Sequence, residues 1–594
     1  MSLVSPGYSN KALLNNLAKI QDKIVEFQGY NNRSQIEDGE MRDMRNLTTD
    51  DYPLLCPRKP RGEYEVDDTI VKVIQIMGRY NRLAMLATDS NEDVYFWYDG
   101  VKRTSITTLK ALSENTRMVA INTKICFFPE NTYIEIIPNG SNYTIGNVGN
   151  LDASIALSAD VTVTIDSDYA SITLPSGHGL KYDDAINITG TIAYTPSGGS
   201  ATTSPIQASC IVEDVQNTNT ILLPSETFIE MIGEGATNVS LKYSSTPANN
   251  TKITRQVPEM DHIIEWNNRL WGASSKDNTV YASKLGDPTN WQYYQGTSMD
   301  SYYAQQGTDG QWTGVGTYSG HIIFFKPNSM CRIYGTAPSN YQVTNVESFG
   351  VEDGSRLSVV TINDVIYYKS AIGIMAYAGS NPVCISSKIN NVFANVVAGT
   401  EGTKYYATIQ TTGQTGAHHL MVYDIQKGLW MREDNTNIRG CCAINNKLYA
   451  ISYDSEYLTC ADDIYVDPYL VCGEGNVGST INIMNPVDPS ESYDDIEWMA
   501  LFGPFHEYLE SKKIYSQISL RLKANGPSAV SVYMALDEKA WELVKTFTSA
   551  GTGGEIIPIV PRRCDRYSIK VVGKGNCEIV SLTRRVRQGT FGKL

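Results

Sequence analysis

A chain of 594 residues is longer than the roughly 250 to 300 that a single hydrophobic core supports, so several domains are expected. Apolar residues make up 42% and charged residues only 19%, while 37 tyrosines and 47 glycines favour pleated sheets joined by tight turns. The net charge of −15 excludes a protein that coats nucleic acid along its whole length, because such binding draws its energy from Lys and Arg facing phosphates.

The opening MSLVSPGYSNKALLNN lacks the charged start, apolar run and cleavage site of a signal peptide, and no stretch of about 18 uncharged apolar residues follows. A soluble chain made in the cytoplasm, with no stable membrane association, is the expectation. Over residues 12–25, Leu13, Leu14, Leu17, Ile20 and Ile24 fall near helical spacing and predict a short helix. Residues 26–62 have little periodicity and many Gly, Pro and Asp, which predicts an extended arm laid over a scaffold.

From about residue 68 a hairpin pattern returns repeatedly. Examples are NRLAMLATDSNEDVYFWYDG (81–100), WNNRLWGASSKDNTVYASKLG (266–286), SGHIIFFKPNSMCRIYG (319–335) and NDVIYYKSAIGIMAYAG (363–379). Each has a polar turn, a β-prone strand, a second turn and a strand rich in aromatics. Units of roughly 40 to 50 residues holding several strands predict a β-propeller of six or seven blades. A string of separate sandwiches is the alternative.

Between 151 and 254 the composition turns to Thr, Ser and Gly with strict alternation, as in Val161-Thr162-Val163-Thr164-Ile165, which predicts a small inserted barrel or sandwich. The closing segments 512–547 and 555–589 alternate cleanly and predict a β-sandwich. The expected fold is therefore all-β. Its parts are a helix and arm (1–62), the first part of the propeller (63–150), the insertion (151–254), the rest of the propeller (255–471), and a linker with a C-terminal sandwich (472–594).

Eleven cysteines stand mostly alone in apolar strings such as KICFF around Cys126, and no C-x-x-C pair exists, so they read as buried hydrophobes in a reduced compartment. No H-E-x-x-H, G-x-S-x-G, P-loop or dinucleotide fingerprint occurs. Glu352, Asp353 and Asp364 are acids that a glycosidase could use in principle, yet acids in turns are ordinarily solvated. The pairs Asp183-Asp184 and Asp462-Asp463 could attract calcium, with exposed turns the plainer reading. His418-His419 should point to opposite faces of a strand and so not share a metal. Ser275 to Tyr281 distantly resembles the Asp-box of sialidase-like propellers, itself a structural turn. The expectation is no catalytic residue, no cofactor and no metal. The basic cluster Arg562, Arg563, Arg566, Arg584, Arg585 and Arg587 is a possible interaction surface, with a solvated sandwich face as the alternative.

Three passages carry a resemblance. MRDMRNL leading to PLLCPRKPRG, EWNNRLWGAS followed by YASKLGDPTNW (281–291), and RRCDRYSIKVVGKG near the end resemble, in that order, the β-propeller structural proteins of tailed bacteriophages, including the tail nozzle and packaged-DNA stabilisation type. The resemblance implies a virion tail protein, assembled in the bacterial host cytoplasm, that forms a homo-oligomeric ring, with a hexamer the most plausible, serving either as a nozzle- or connector-type conduit for DNA ejection or at the tail tip. It also implies contacts with other tail proteins and transient passage of genomic DNA. A glycan-binding or receptor-binding tail component, glycosidase-like in the extreme, is the alternative.

Overall fold

The computed structural model describes residues 19–174, 178–390, 392–411, 418–453, 479–484, 486, 489–505, 513–547 and 553–588. They form an all-β chain with one α-helix, Glu226–Ile232, among the described residues. The chain divides into two compact units, one of residues 68–366 and 378–381, the other of residues 1–67, 367–377 and 382–594.

In the first unit, four-stranded antiparallel sheets follow one another in chain order. Sheet 1 spans 72–103, sheet 2 spans 117–150, sheet 3 spans 262–305 and sheet 4 spans 314–347, with the strands of each paired in sequence order. The division between the units falls within sheet 5 (360–384), which is also four-stranded. The first strand of each sheet lies beside the first strand of the next, from Lys72–Arg79 through Arg117–Ile121, His262–Trp266 and Gly314–Tyr318 to Val360–Ile362.

The repeat seen in the sequence has a common turn geometry. Arg79 pairs with Arg82, Ile121 with Lys124, Trp266 with Arg269 and Tyr318 with His321, leaving two-residue loops that place Tyr80-Asn81, Asn122, Asn267-Asn268 and Ser319-Gly320 at positive φ. Such loops match the right-handed twist of the flanking strands, and Asn tolerates the left-handed backbone better than other side chains with a Cβ. Apolar faces then meet between sheets. Phe96 and Phe127 touch edge to face at 5.1 Å between sheets 1 and 2, and Trp271, Ile322, Phe324 and Ile333 join sheets 3 and 4.

Residues 153–255 form a nine-stranded sheet with its own core of Ile188, Ile206, Leu223, Phe228 and Leu241. Its first and last strands, Ala153–Ala156 and Lys252–Arg255, pair with each other, so the chain leaves and returns at neighbouring points. The inserted segment meets sheet 3 through polar groups: Asn290 Oδ1 accepts from the Ala185 N–H at 2.9 Å.

In the second unit, sheet 6 spans 393–432, and sheet 7 joins Ile438–Ile444, Lys447–Tyr453 and Ser479–Ile483 to a fourth strand, Gly62–Tyr64. The first strands of sheets 6 and 7 again lie side by side. The C-terminal strands build two sheets. One has the order Lys19–Ile24, Cys577–Gln588, Lys513–Ala524, Gly553–Cys564; the other has Met41–Arg45, Glu497–Phe505, Tyr567–Lys574, Ala529–Leu536, Glu542–Phe547. This interleaving is the jelly-roll arrangement of two Greek keys, with an N-terminal strand at the edge of each sheet. Trp498, Leu520, Val532, Ile569 and Leu582 fill the interior.

The helix expected over 12–25 is corrected where it is described, because Lys19–Ile24 is a strand paired antiparallel with the last strand of the chain. Its spacing is ambiguous: the run KIQDKI alternates as well as it spirals, and ladder hydrogen bonds to a waiting sheet edge exceed a weak helical propensity. Residues 1–18 lie outside the described residues.

Candidate functional site

The six arginines singled out in the sequence fall on the strands and turns of the jelly roll, with Arg584 buried and Arg562, Arg563 and Arg585 exposed. Arg562 forms a two-pronged ion pair with Glu542 (2.7 and 2.9 Å), and Arg566 pairs with Glu538 at 3.0 Å. Arg585 donates to Gln517 Oε1 at 3.1 Å. Arg563 and Arg587 stand opposite Ile514 on either side of the same central strand. Arg584 is 1% exposed, its guanidinium 3.7 Å from the Phe505 ring centroid, and it pairs with Asp22 and with Asp38 at 2.6 Å. It holds the N-terminal strand to the jelly roll. As neighbours on a strand, Arg584 and Arg585 face opposite sides, so Arg584 is enclosed while Arg585 is exposed.

The other charged motifs are also engaged inside the fold. Asp184, 2% exposed, pairs with the buried Arg255, and Asp183 pairs with Lys284. The plainer expectation of exposed turns is therefore corrected: the pair forms ion pairs where the insertion joins its neighbours. Asp462-Asp463 lie outside the described residues. No group of three or more His, Cys, Asp and Glu residues able to hold a metal occurs among the described residues. Asp353 accepts from the Gly354 N–H at 2.9 Å, and Asp364 occupies a two-residue turn at φ 59°.

The passages behind the family resemblance have clear local roles. In PRKPRG, Arg58 grips Glu491 at 2.7 and 2.9 Å, while Arg61 pairs with Glu433 and Asp434, each at 2.8 Å. Burial pushes the Asp434 carboxyl up, but the Arg61 charge, the Thr436 hydrogen bonds and Arg58 outweigh it and bring the carboxyl to about 2. In the Asp287-to-Trp291 turn, Asp287 accepts from Thr289 and Asn290, and the indole N–H of Trp291 donates to Pro288 O at 2.9 Å. The Asp-box-like segment is a turn too: Asn278 at φ 56° donates to Gln306 O and Thr308 O and accepts from Lys326. Buried thiols such as Cys56 and Cys331 are pushed up to about 12, chiefly by desolvation, as befits apolar packing rather than nucleophilic use.

Two concavities in the first unit are candidate sites. The first, of about 570 Å³, opens where the first strands of sheets 1 to 4 come together and is lined by Gln75, Arg117, His262, Val315 and Arg356. Desolvation and the nearby charge of Arg356 lower Arg117 to about 10, and burial lowers Arg356. His262 is lowered chiefly by burial, and its Nε2 lies 2.9 Å from Trp312 O. The second, a groove of about 770 Å³, carries Tyr281, Tyr294 and Tyr303 beside the amides of Asn187, Gln292 and Gln295. Tyr294 and Tyr303 are 47% and 59% exposed and meet edge to face at 5.9 Å. Neither site was visible in the sequence. Arg117 and Arg356 are isolated residues in unremarkable strings, and only the adjacency of first strands joins them.

No protein-family model and no curated protein sequence matches the chain. Among solved structures, it is similar to an exo-β-1,3-galactanase from Phanerochaete chrysosporium at 10% identity, covering 54% of this chain and 95% of that one, with a TM-score of 0.21. It is similar to Hsv2 of Kluyvelomyces marxianus at 11% identity, covering 45% and 73%, with a TM-score of 0.24. It is also similar to PorZ, a bacterial surface component of the type-IX secretion system of Porphyromonas gingivalis, at 11% identity, covering 87% and 82%, with a TM-score of 0.19. At these scores the likenesses carry no argument about activity.

Proposed function

We propose that the chain is a structural subunit of a tailed-bacteriophage tail. In this reading the four-stranded sheets are blades of a six- or seven-bladed β-propeller, and copies close into a ring, most plausibly a hexamer. The observation that carries the propeller is the use of Gly62–Tyr64, just ahead of sheet 1 in the chain, as the fourth strand of sheet 7. Borrowing a strand across the ends of the array is how a closed ring of sheets removes its exposed edge. The side-by-side first strands in each unit supply the inner wall.

The tail assignment rests on the three resembling passages and their order, and the ion pairs of Arg61, Asp184 and Arg584 inside the fold fit a structural role for these motifs. The chain is proposed to have no catalytic role and to act with other tail proteins, in the virion, after assembly in the host cytoplasm. A net charge of −15 suits a conduit that DNA passes without sticking, since a like-charged wall releases no counterions to the phosphates.

A second reading has its own support. Exposed tyrosines flanked by side-chain amides, as in the Tyr294 and Tyr303 groove, match how sugar rings are stacked and hydrogen-bonded, which favours a glycan-binding tail component. Mass photometry of the purified full-length chain, alone and with candidate tail partners, separates the two when run beside a polysaccharide retention and cleavage assay. Closed oligomers with no retention support the structural subunit. A stable monomer that retains or cleaves polysaccharide overturns it.

A further inference from the structure

We propose that the cavity between Arg117 and Arg356 is a binding site for a phosphate or sulfate group. Both arginines line it, and neither has an ion pair among the described residues. Arg117 donates only to the backbone carbonyls of Glu114 and Thr116, through one terminal nitrogen, and its buried Nε has no partner. Arg356 sits in the short 3-10 turn Arg356–Ser358, and its side chain makes no hydrogen bond among the described residues. Two guanidinium groups thus line one partly desolvated space, where the charge of Arg356 acts unfavourably on Arg117.

Nearby carboxylates offset this only in part. The charge of Glu130, whose Oε2 is buried without a hydrogen-bond partner, acts favourably on Arg117, while its Oε1 accepts from Thr116 at 2.7 Å and Ser113 at 3.2 Å; among the described residues no carboxylate acts in this way on Arg356. Glu259 pairs with the exposed Lys276 at 2.8 Å, and Asp261 accepts from the Ser275 N–H at 2.6 Å. The His262 ring is engaged with Trp312 O. Gln75 accepts from the Met118 N–H at 3.1 Å, which leaves its NH₂ group as a further donor.

Two like charges with one partial counter-charge in a half-buried cavity are unfavourable for the fold alone. A doubly charged tetrahedral oxyanion neutralises both arginines at once and accepts from the planar guanidinium forks and the Gln75 amide, whereas a single carboxylate leaves one charge unmet. The volume of about 570 Å³ exceeds what a bare phosphate fills, so the anion can be one end of a larger molecule such as a phosphorylated sugar.

The test is isothermal titration of the full-length chain with inorganic phosphate, glucose 6-phosphate and glucose, paired with thermal melts in phosphate-free buffer. The expected result is binding of both phosphate compounds, or of glucose 6-phosphate alone if the source is a sugar phosphate, and none of glucose. Arg117→Gln and Arg356→Gln each weaken binding at least tenfold and leave the melting temperature in phosphate-free buffer unchanged or raised, because each relieves the repulsion. Arg562→Gln, in the other unit, leaves binding unchanged. Failure of both phosphate compounds to bind, or unaltered affinity in the two Gln variants, overturns the proposal. A lowered melting temperature in both variants would mean that the arginines serve the fold, and would overturn it as well.

Discussion

Arg584 and Arg562 come from the same basic cluster in the sequence, yet the structure gives them opposite weight. Arg584 is enclosed, stacked on Phe505 and shared by Asp22 and Asp38, whose side chains are 38% and 44% exposed and so able to rehydrate in part. Replacing it with Ala removes the packing and leaves two neighbouring carboxylates, so a loss of about 2 to 4 kcal/mol is expected by chemical denaturation. Arg562 is half exposed, as is Glu542, and Arg562→Ala is expected to change stability by less than ~0.5 kcal/mol in the same experiment. The sequence displays six arginines but not the register that decides between them: Arg584 stands opposite Ile518 and Arg585 opposite Gln517. The Asp183-Asp184 pair was illegible for a similar reason, since its cations, Lys284 and Arg255, lie far along the chain.

At the scale of elements, the hairpins were legible and their partners were not. Polar two-residue turns between β-prone runs announce themselves locally, and the Asn residues at positive φ show what those turns require. Asn268→Val, at φ 57°, is expected to cost about 1 to 2 kcal/mol, whereas Asn268→Gly is expected to be close to neutral; thermal melts of the two variants check the contrast. The segment Lys19–Ile24 misleads a periodicity argument because its apolar residues satisfy both spacings, and the sheet edge that selects the strand is built by the last residues of the chain. Deleting residues 1–24 uncovers that edge and removes a partner of Arg584. The truncated chain is expected to aggregate on heating at a lower temperature than the full chain, by light scattering, and an unchanged onset would contradict the role given to this strand.

For the whole molecule, the described histidines share one property. His178, His262, His321, His418 and His419 are all lowered below the ordinary imidazole value, in each case first by burial. The unfolded chain therefore binds protons that the folded chain refuses, and stability falls as pH drops through about 6.5. Depressed carboxylates, among them Asp50, Asp424, Asp434 and Glu491, add a second loss near and below pH 4, when the unfolded chain protonates first. Asp184 and Glu401, raised by burial, oppose it in part. The melting temperature is expected to be level between pH 7 and 8 and to decline from pH 6.5 to 5; a rise over that interval would contradict the burial of these rings. The sequence carried the repeat but not the pairing that gives sheet 7 its fourth strand, since that strand is the three residues Gly62–Tyr64 from far earlier in the chain. Cryo-electron microscopy of the purified full-length chain, with particles sorted by rotational order, tests the central claim most directly. A closed ring, six copies by preference, whose subunits each show a six- or seven-bladed propeller is the predicted result. Monomers, or sheets that share no axis, would contradict it.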